Sequence, residues 1–431
     1  VPNENIKIEL IKNSNQFIEL TESYEKYHLK LLREITDLAH NRYIWSQASK
    51  VRWNMRDVEA KTFNKKFKRK FKKILASVLS NNFSLSKLDS LYKKIFFKSK
   101  NIEEFDKLFK KIKPELIFNT SHSHSVIAEK VLMAAKKNNI KTATFLFSWD
   151  NLTSQGRMFP QYDYYFAWNS KIKKDLIRIY PDSKPENVFI TGTPQFMFHF
   201  DDKFYVPRDK FLKELGLSEG DKYILYSAGM SHHVPHEPYV IERISEILKN
   251  IDPNLKLVVR IYAKDKSGIY DDLKIRRKDI NIPEVKWEKN YATPLIEDSY
   301  FYSNLLRYCE IGINIASTVS LELCMFNKPA INIGYNPPGI NVYPYDYTRY
   351  YEFDHYKPIA QSGAVDVVKD EEELKYSIKK YLSNPEVDSD KRVKLINDFF
   401  EINNVSFEAY FKSSNDYIIS YLGKIIKESN H

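Results

Sequence analysis

Two patterns of hydrophobic and polar positions follow one another along the chain. From about Leu29 to Phe109, apolar residues recur at helical spacing and glycine is absent, which predicts a mainly helical N-terminal region. After Pro114, short apolar runs alternate with longer helical runs. This alternation is typical of crossover units that build a parallel sheet.

The alternating pattern occurs twice. In its first occurrence it predicts strands at residues 115–120, 142–147, 162–167 and 188–191, with helices at 126–138 and 171–179. After a polar connection around residues 201–221, it predicts strands at 223–227, 255–261, 311–315 and 330–333, with helices at 237–248, 303–308 and 319–326. A final helical stretch covers residues 388–425. We therefore expect an α/β protein with two successive domains, residues 1–200 and 201–390, followed by C-terminal helices at 391–431.

One predicted helix, residues 61–79, is both basic and amphipathic. Its apolar positions recur every three or four residues and seven cations fill the positions between them. The apolar set is Phe63, Phe67, Phe71, Ile74, Leu75 and Val78, and the cations are Lys65, Lys66, Lys68, Arg69, Lys70, Lys72 and Lys73. Two interpretations stay open: a helix that binds an anionic membrane surface, or an outer helix whose aromatic stripe belongs to the core.

The charge of the chain is concentrated in the same region. The formal net charge is +11, yet residues 50–113 contain 20 Lys and Arg against 6 Asp and Glu, so the remainder is slightly acidic. A local basic helix without an RNA- or DNA-reading module argues against nucleic-acid binding.

Other classes are excluded by what the sequence lacks. There is no apolar run of the roughly 18 residues that a membrane-spanning helix needs, and no secretory signal pattern follows Val1. Cys309 and Cys324 have neither disulfide nor zinc spacing, so we expect a cytoplasmic protein. Neither GxGxxG nor a Walker loop occurs, which argues against classical dinucleotide and P-loop chemistry.

The residues that follow strands of the second domain are candidates for binding, because ligands of open parallel sheets lie beyond the carboxyl ends of the strands. After the strand at 311–315, Ser317 and Thr318 precede a helix whose N-terminus suits a phosphate, with Ser320 and Glu322 in its first turn. The Glu322 carboxylate suits a ribose diol. The alternative is a capping box, which needs no ligand.

Two further turns of this domain carry polar groups. Gly229 permits close approach of the backbone, and Ser231, His232 and His233 offer donors to a diphosphate or sugar. The two histidines lack a third ligand at a diagnostic spacing, so we expect no metal. Arg260 ends a strand and is either a phosphate-neutralising cation or an ordinary arginine.

In the first domain, two loops combine groups that titrate near neutrality with hydroxyl and amide side chains. His122, His124 and Asp150 are the candidates for a general base that deprotonates an attacking hydroxyl. Helix capping and turn formation are the alternative explanation. The accompanying residues that suit an acceptor are Ser121, Ser123, Asn151 and Gln155.

Four segments resemble the GT-B class of nucleotide-sugar glycosyltransferases. Residues 307–322 and 328–333 resemble its donor-binding motif, and residues 187–196 and 148–154 are similar to bacterial capsule and lipopolysaccharide enzymes. The resemblance implies two facing Rossmann-like domains and a C-terminal helix that crosses back to the first. It also implies donor contacts from Ser317, Thr318 and Glu322, and no catalytic metal or other cofactor. The sequence departs from this class in its N-terminal part, where the usual glycine-rich first turn is absent.

The function expected from this resemblance is glycosyl transfer from a nucleotide sugar, with UDP favoured, to a hydroxyl of a surface glycan or lipid-linked acceptor. The basic helix fits such an acceptor on the inner face of the plasma membrane. The alternatives are a CMP-Kdo-type transferase, a CDP-glycerol-type transferase, a nucleotide-sugar epimerase on the same fold, and a non-catalytic protein that tethers a complex to the membrane.

Overall fold

The computed structural model describes residues 26–428 except 59, 100–101, 123–125 and 289–292. The chain forms two compact units. Within the described residues, the C-terminal unit comprises Gln195–Glu352 and Tyr356–Ala409, and the N-terminal unit comprises residues 26–194, the segment Phe353–His355 and residues 410–428. The division therefore lies a few residues before residue 200, and residues 391–409 belong with the C-terminal unit.

The N-terminal unit begins, within its described residues, with helices that precede its sheet, in agreement with the helical pattern of the sequence. Thr62 begins the basic helix, because its side chain accepts a hydrogen bond from the Lys65 amide at 3.3 Å. Lys113 ends the last helix in the left-handed conformation. The helices are α1 (Tyr27–Ile44), α2 (Gln47–Val58), α3 (Phe63–Val78), α4 (Asn82–Ser99) and α5 (Glu103–Ile112).

The sheet of this unit has four parallel strands in the order in which they occur in the chain. They are β1 (Leu116–Asn119), β2 (Lys141–Phe145), β3 (Tyr164–Ala167) and β4 (Val188–Ile190), with helices α6 (Val126–Lys137), α7 (Asn151–Ser154) and α8 (Ser170–Ile179) between them. The end of the chain returns to this sheet: the Tyr421 ring stacks on Phe189 with centroids 4.3 Å apart.

The sheet of the C-terminal unit has six parallel strands: β5 (Tyr223–Ser227), β6 (Lys256–Arg260), β7 (Ile280–Asn281), β10 (Ile311–Asn314), β11 (Ala330–Ile333) and β12 (Val365–Val368). Their order in the sheet is β12-β11-β10-β5-β6-β7. A separate antiparallel pair consists of β8 (Trp287–Glu288) and β9 (Thr293–Pro294). The central strands are buried apolar runs, as expected for a parallel sheet covered on both faces.

Helices follow or separate these strands along the chain, and the last of them belongs to the N-terminal unit from Tyr410 onward. They are α9 (Arg208–Glu214), α10 (Glu237–Ile251), α11 (Asp271–Arg276), α12 (Ile296–Tyr308), α13 (Val319–Met325), α14 (Lys357–Ala360), α15 (Glu371–Ser383), α16 (Ser389–Phe400) and α17 (Phe407–Lys427). The expected α/β class, with two parallel-sheet units after a helical region, is confirmed. No helix within the described residues is long and apolar enough to cross a membrane.

Candidate functional site

The sheet of the C-terminal unit reverses its strand order between β5 and β10. Chain order runs from β5 through β6 to β7 on one side, and from β10 through β11 to β12 on the other. Ser227 pairs in register with Asn314, so the turns that leave these two strands are neighbours at the carboxyl edge. Open α/β sheets bind ligands at this topological switch point. The sequence predicted both turns as candidates, and the structure brings them together.

The turn after β10 rests on a buried hydrogen-bond network. Asn314 Oδ1 accepts from the Ser317 amide at 3.0 Å and from Asn332 Nδ2 at 3.0 Å. The Tyr356 hydroxyl donates to Asn332 Oδ1 at 2.6 Å and contacts Ser320 Oγ at 2.9 Å. Ser320 is fully buried within this network. Ser320 therefore stabilises the turn through buried hydrogen bonds. Its direct contact with a donor stays a prediction.

Ser317 and Thr318 remain partly exposed above this network. Ala316 has a φ of 44°, a left-handed conformation that residues other than glycine seldom adopt. Ser317 Oγ accepts from the Val319 amide at 3.3 Å, a bond within the turn that leads to Thr318, the N-cap residue of α13. The helix has only seven residues, and phosphate binding at its N-terminus stays a prediction.

Glu322 is the buried carboxylate beside this turn, with 7% of its surface exposed. Its Oε2 lies 2.8 Å from Nε2 of His199, and its Oε1 accepts from the Tyr302 hydroxyl at 3.1 Å. A capping box would require the carboxylate three residues after the cap and bonded to the cap amide. Glu322 follows Thr318 by four residues and bonds to His199 and Tyr302 instead, so the capping-box alternative is wrong.

His199 is a site residue that the sequence did not reveal. Its imidazole is fully buried, with Nδ1 3.1 Å from the Ser303 hydroxyl. Its backbone carbonyl accepts from Arg307 Nη2 at 2.9 Å. Burial and the nearby Glu322 charge raise the pKa of Tyr302 well above its ordinary value, so Tyr302 remains a neutral donor. No spacing rule connects His199 with a carboxylate 123 positions away.

Arg260 does not present a free cation for phosphate. Its guanidinium forms a buried two-bond pair with the Asp298 carboxylate, with Nη1 2.9 Å from Oδ1. The same carboxylate accepts from the Lys286 amide at 3.0 Å and from Trp287 Nε1 at 3.2 Å. Arg260 is buried and its charge is paired inside the unit, so it is not an ordinary surface arginine. Its contact with a donor phosphate stays a prediction.

The turn after β5 is fixed by a second buried carboxyl group, that of Glu237. The Gly229 amide donates to both Glu237 oxygens, at 3.0 and 2.9 Å. The Tyr226 and Tyr270 hydroxyls donate to them at 2.8 and 2.7 Å. Burial raises the pKa of Glu237 to about 7, although these hydrogen bonds act in the opposite direction. The Gly229 amide is thus fixed in the turn after β5, and contact of this turn with a donor stays a prediction.

The remaining candidates of this turn lie nearer the surface. Ser231 is partly exposed and His232 is exposed. The His233 ring lies 4.1 Å from that of His232, and burial, with the nearby His232 and Arg349, lowers the pKa of His233 to about 4. Among the described residues, no three His, Cys, Asp or Glu side chains are placed to hold a metal ion.

In the N-terminal unit, His122 and Asp150 are held beside the carboxyl end of β2. His122 Nδ1 accepts from the Phe147 amide at 3.2 Å. Asp150 Oδ1 accepts from the Ser148 hydroxyl, and Asp150 Oδ2 accepts from the Ser154 hydroxyl at 2.9 Å. Both candidates are partly exposed. His124, the third candidate base, lies outside the described residues, as does Ser123.

His355 joins this group although the sequence did not indicate it. The Thr153 hydroxyl lies 3.3 Å from His355 Nδ1, and the Trp149 ring meets the imidazole edge to face at 5.3 Å. Burial lowers the pKa of His355, while the charges of Asp150 and Asp354 act in the opposite direction. The imidazole is consequently kept neutral, the form that accepts a proton.

The predicted acceptor residues in the same unit differ in exposure. Asn151 is buried, and its Oδ1 accepts from the Ser148 amide at 3.1 Å, so it shapes the turn. Ser121 and Gln155 are partly exposed. Contact of these residues with an acceptor stays a prediction.

No protein-family model and no curated protein matches the sequence. Among solved structures, the chain is similar to the UDP-GlcNAc 2-epimerase from Methanocaldococcus jannaschii, with 15% identity, a TM-score of 0.47, and 80% of this chain and 83% of that chain covered. It is similar to the Neisseria meningitidis UDP-GlcNAc 2-epimerase bound to UDP-GlcNAc, with 13% identity, a TM-score of 0.48 and the same coverage. It is also similar to a glycosyltransferase from Rickettsia africae, with 14% identity, a TM-score of 0.43, and 77% and 83% covered. Likenesses at this level carry no argument about the reaction.

Proposed function

We propose that the protein is a glycosyltransferase that uses a UDP-sugar and transfers the sugar to a hydroxyl of a surface glycan or lipid-linked acceptor. The observation that carries the proposal is the meeting of the turns after β5 and β10 at the switch point of the second sheet, beside a buried carboxylate. In this proposal the C-terminal unit binds the donor nucleotide.

Glu322 is the residue that we assign to the donor ribose. His199 and Tyr302 each contact one oxygen of its carboxylate, which fixes the orientation of the group. Each oxygen retains a second lone pair that can accept from a ribose hydroxyl. The hydroxyls of Ser317 and Thr318 are assigned to the diphosphate, where donors stabilise the charge of the leaving group.

The N-terminal unit would supply the base. In the proposed step, His122, Asp150 or His355 takes the proton of the acceptor hydroxyl, and the oxygen attacks the anomeric carbon of the sugar. The bond from that carbon to the diphosphate breaks, and UDP leaves with the electron pair. The products are the extended acceptor and UDP, and the proton is on the base.

The first test measures which nucleotide stabilises the protein. Thermal unfolding is followed with UDP, GDP, CDP, CMP, TDP and NAD, since a ligand at about 100 times its Kd stabilises the native state by about 2.7 kcal/mol. We expect a shift with UDP. We expect Glu322→Gln to weaken UDP binding about tenfold or more, because a hydrogen bond to a charged group contributes about 1.5–3 kcal/mol.

Glu372→Gln is the matched control, since Glu372 is exposed on α15. It should bind UDP like the unmodified protein. A second measurement follows the fate of UDP-sugars by NMR: release of UDP with a glycosylated acceptor supports transfer. An isomerised UDP-sugar without transfer would replace the proposal by epimerisation. The absence of a shift with every nucleotide would refute it.

A further inference from the structure

Five apolar side chains of α3 face solvent and not the core. Phe63 is 81% exposed, Phe67 65%, Phe71 63%, Ile74 58% and Val78 71%. We call these five side chains the Phe face. Its exposure contradicts the interpretation of the stripe as core, and contiguous apolar patches on a protein surface usually mark an interaction site.

The opposite side of α3 attaches the helix to the N-terminal unit. Arg69 donates to Asp57 Oδ1 at 3.1 Å and to the Trp53 carbonyl at 3.0 Å. Lys72 pairs with Glu34, and Ala76 is fully buried. With about 100° between successive residues of a helix, this side lies across the helix axis from the Phe face. Several cations of α3 therefore form contacts with the N-terminal unit, and the apolar side of the helix faces solvent.

A second set of cations borders the Phe face. Lys66, Lys68 and Lys70 are exposed and pair with no carboxylate among the residues that the structure describes. Beside Ile74 runs a groove with a volume of about 460 Å³ whose lining contains four cations against one carboxylate, that of Asp57. The cations are Lys66, Arg69, Lys70 and Lys73. Arg69 and Lys73 pair with Asp57, so the positive charge at the border of the Phe face comes from Lys66, Lys68 and Lys70.

We propose that α3 docks the protein on an anionic phospholipid bilayer. The helix lies in the plane of the surface, the Phe face enters the boundary between headgroups and acyl chains, and the lysines contact lipid phosphates. The positive border favours an anionic surface over a second copy of the chain, which would bring like charges together. Docking of this kind does not depend on which reaction the protein catalyses.

The test is flotation of the full chain with vesicles of phosphatidylcholine alone or mixed equally with phosphatidylglycerol. We expect binding to the mixed vesicles, and weaker binding at high salt. Phe67→Ser with Phe71→Ser should lower partitioning by on the order of a hundredfold. Lys66→Gln with Lys70→Gln should lower it about thirtyfold, at about fivefold per lysine.

Matched controls come from the C-terminal unit. Tyr376→Ser removes an aromatic side chain that is 71% exposed, and Lys274→Gln with Lys278→Gln removes two exposed lysines at the same spacing. Both should partition like the unmodified protein. Circular dichroism and the UDP-induced thermal shift of each variant separate a loss of docking from misfolding or loss of nucleotide binding.

Three results would overturn the proposal. The first is no flotation of the unmodified protein with the mixed vesicles. The second is unchanged flotation of the Phe67→Ser, Phe71→Ser variant. The third is a dimer, measured by light scattering, that this variant dissociates, since the Phe face would then bind a second copy of the chain.

Discussion

Glu237 has no exposed surface, and its replacement by glutamine should change how the stability of the protein depends on pH. The carboxyl group accepts hydrogen bonds from the Gly229 amide and from the Tyr226 and Tyr270 hydroxyls. Glutamine has nearly the same shape and keeps one oxygen acceptor, but it does not ionise. The substitution therefore removes the charge and leaves the side-chain volume in place.

The sign and size of the effect follow from the raised pKa. The pKa of Glu237 is about 7 in the native state against an ordinary value of 4.5. Between these pH values the native state binds more protons than the unfolded state. The contribution of Glu237 to the free energy of unfolding is therefore at its full size below pH 4.5 and is lost as the pH rises through 7. From pH 5 to pH 8 this loss is about 2–3 kcal/mol, at roughly 1.4 kcal/mol per pKa unit.

The assay is urea unfolding at pH 5 and pH 8, followed by circular dichroism and tryptophan fluorescence. Between pH 5 and pH 8 the free energy of unfolding of the unmodified protein should fall by about 2–3 kcal/mol more than that of Glu237→Gln. Glu372→Gln removes an exposed carboxylate and should keep the unmodified slope. Equal slopes for the unmodified protein and Glu237→Gln would refute the reasoning, because burial would then impose no penalty on the Glu237 charge.

Two further predictions concern packing in the same unit. Asp298→Ala leaves the buried Arg260 cation unpaired and should lower the free energy of unfolding by about 3–5 kcal/mol in urea unfolding. The double variant Asp298→Leu with Arg260→Met removes both charges and should lower it much less. An equal or larger loss for the double variant would contradict this prediction. Gly312→Ala should cost about 1–3 kcal/mol, since the new Cβ would lie 2.2 Å from a methyl carbon of Leu323, while Gly220→Ala, with open space around it, should be nearly neutral in the same assay.

The positions of the sheet strands could be predicted because a buried parallel strand is a nearly continuous apolar run. The strands Tyr223–Ser227 and Ala330–Ile333 match the prediction residue for residue. The helix Ile296–Tyr308 was predicted only at its end, over 303–308. Its buried side includes Asp298 and Asn304, which interrupt the apolar periodicity on which the prediction depends.

The turns of the candidate site could be predicted, but their partners could not. Glu322 and Gly229 were found because they follow strands, and the rule for ligand sites in parallel sheets applies to local sequence order. His199, which contacts Glu322, lies far away in the sequence, and a single sequence contains no signal for such a contact. Arg260 was correctly placed at the end of a strand, yet its pairing with Asp298 depends on how a distant helix packs.

The basic helix shows most clearly what the sequence determines and what only the tertiary structure decides. Periodicity alone determined that residues 61–79 form an amphipathic helix with an apolar and a basic side, because side chains three and four positions apart share a face. Which side faces the protein was decided only by tertiary contacts. Arg69 and Lys73 of α3 meet Asp57, and Lys72 meets Glu34, so a charged side packs inward and the Phe face remains in solvent.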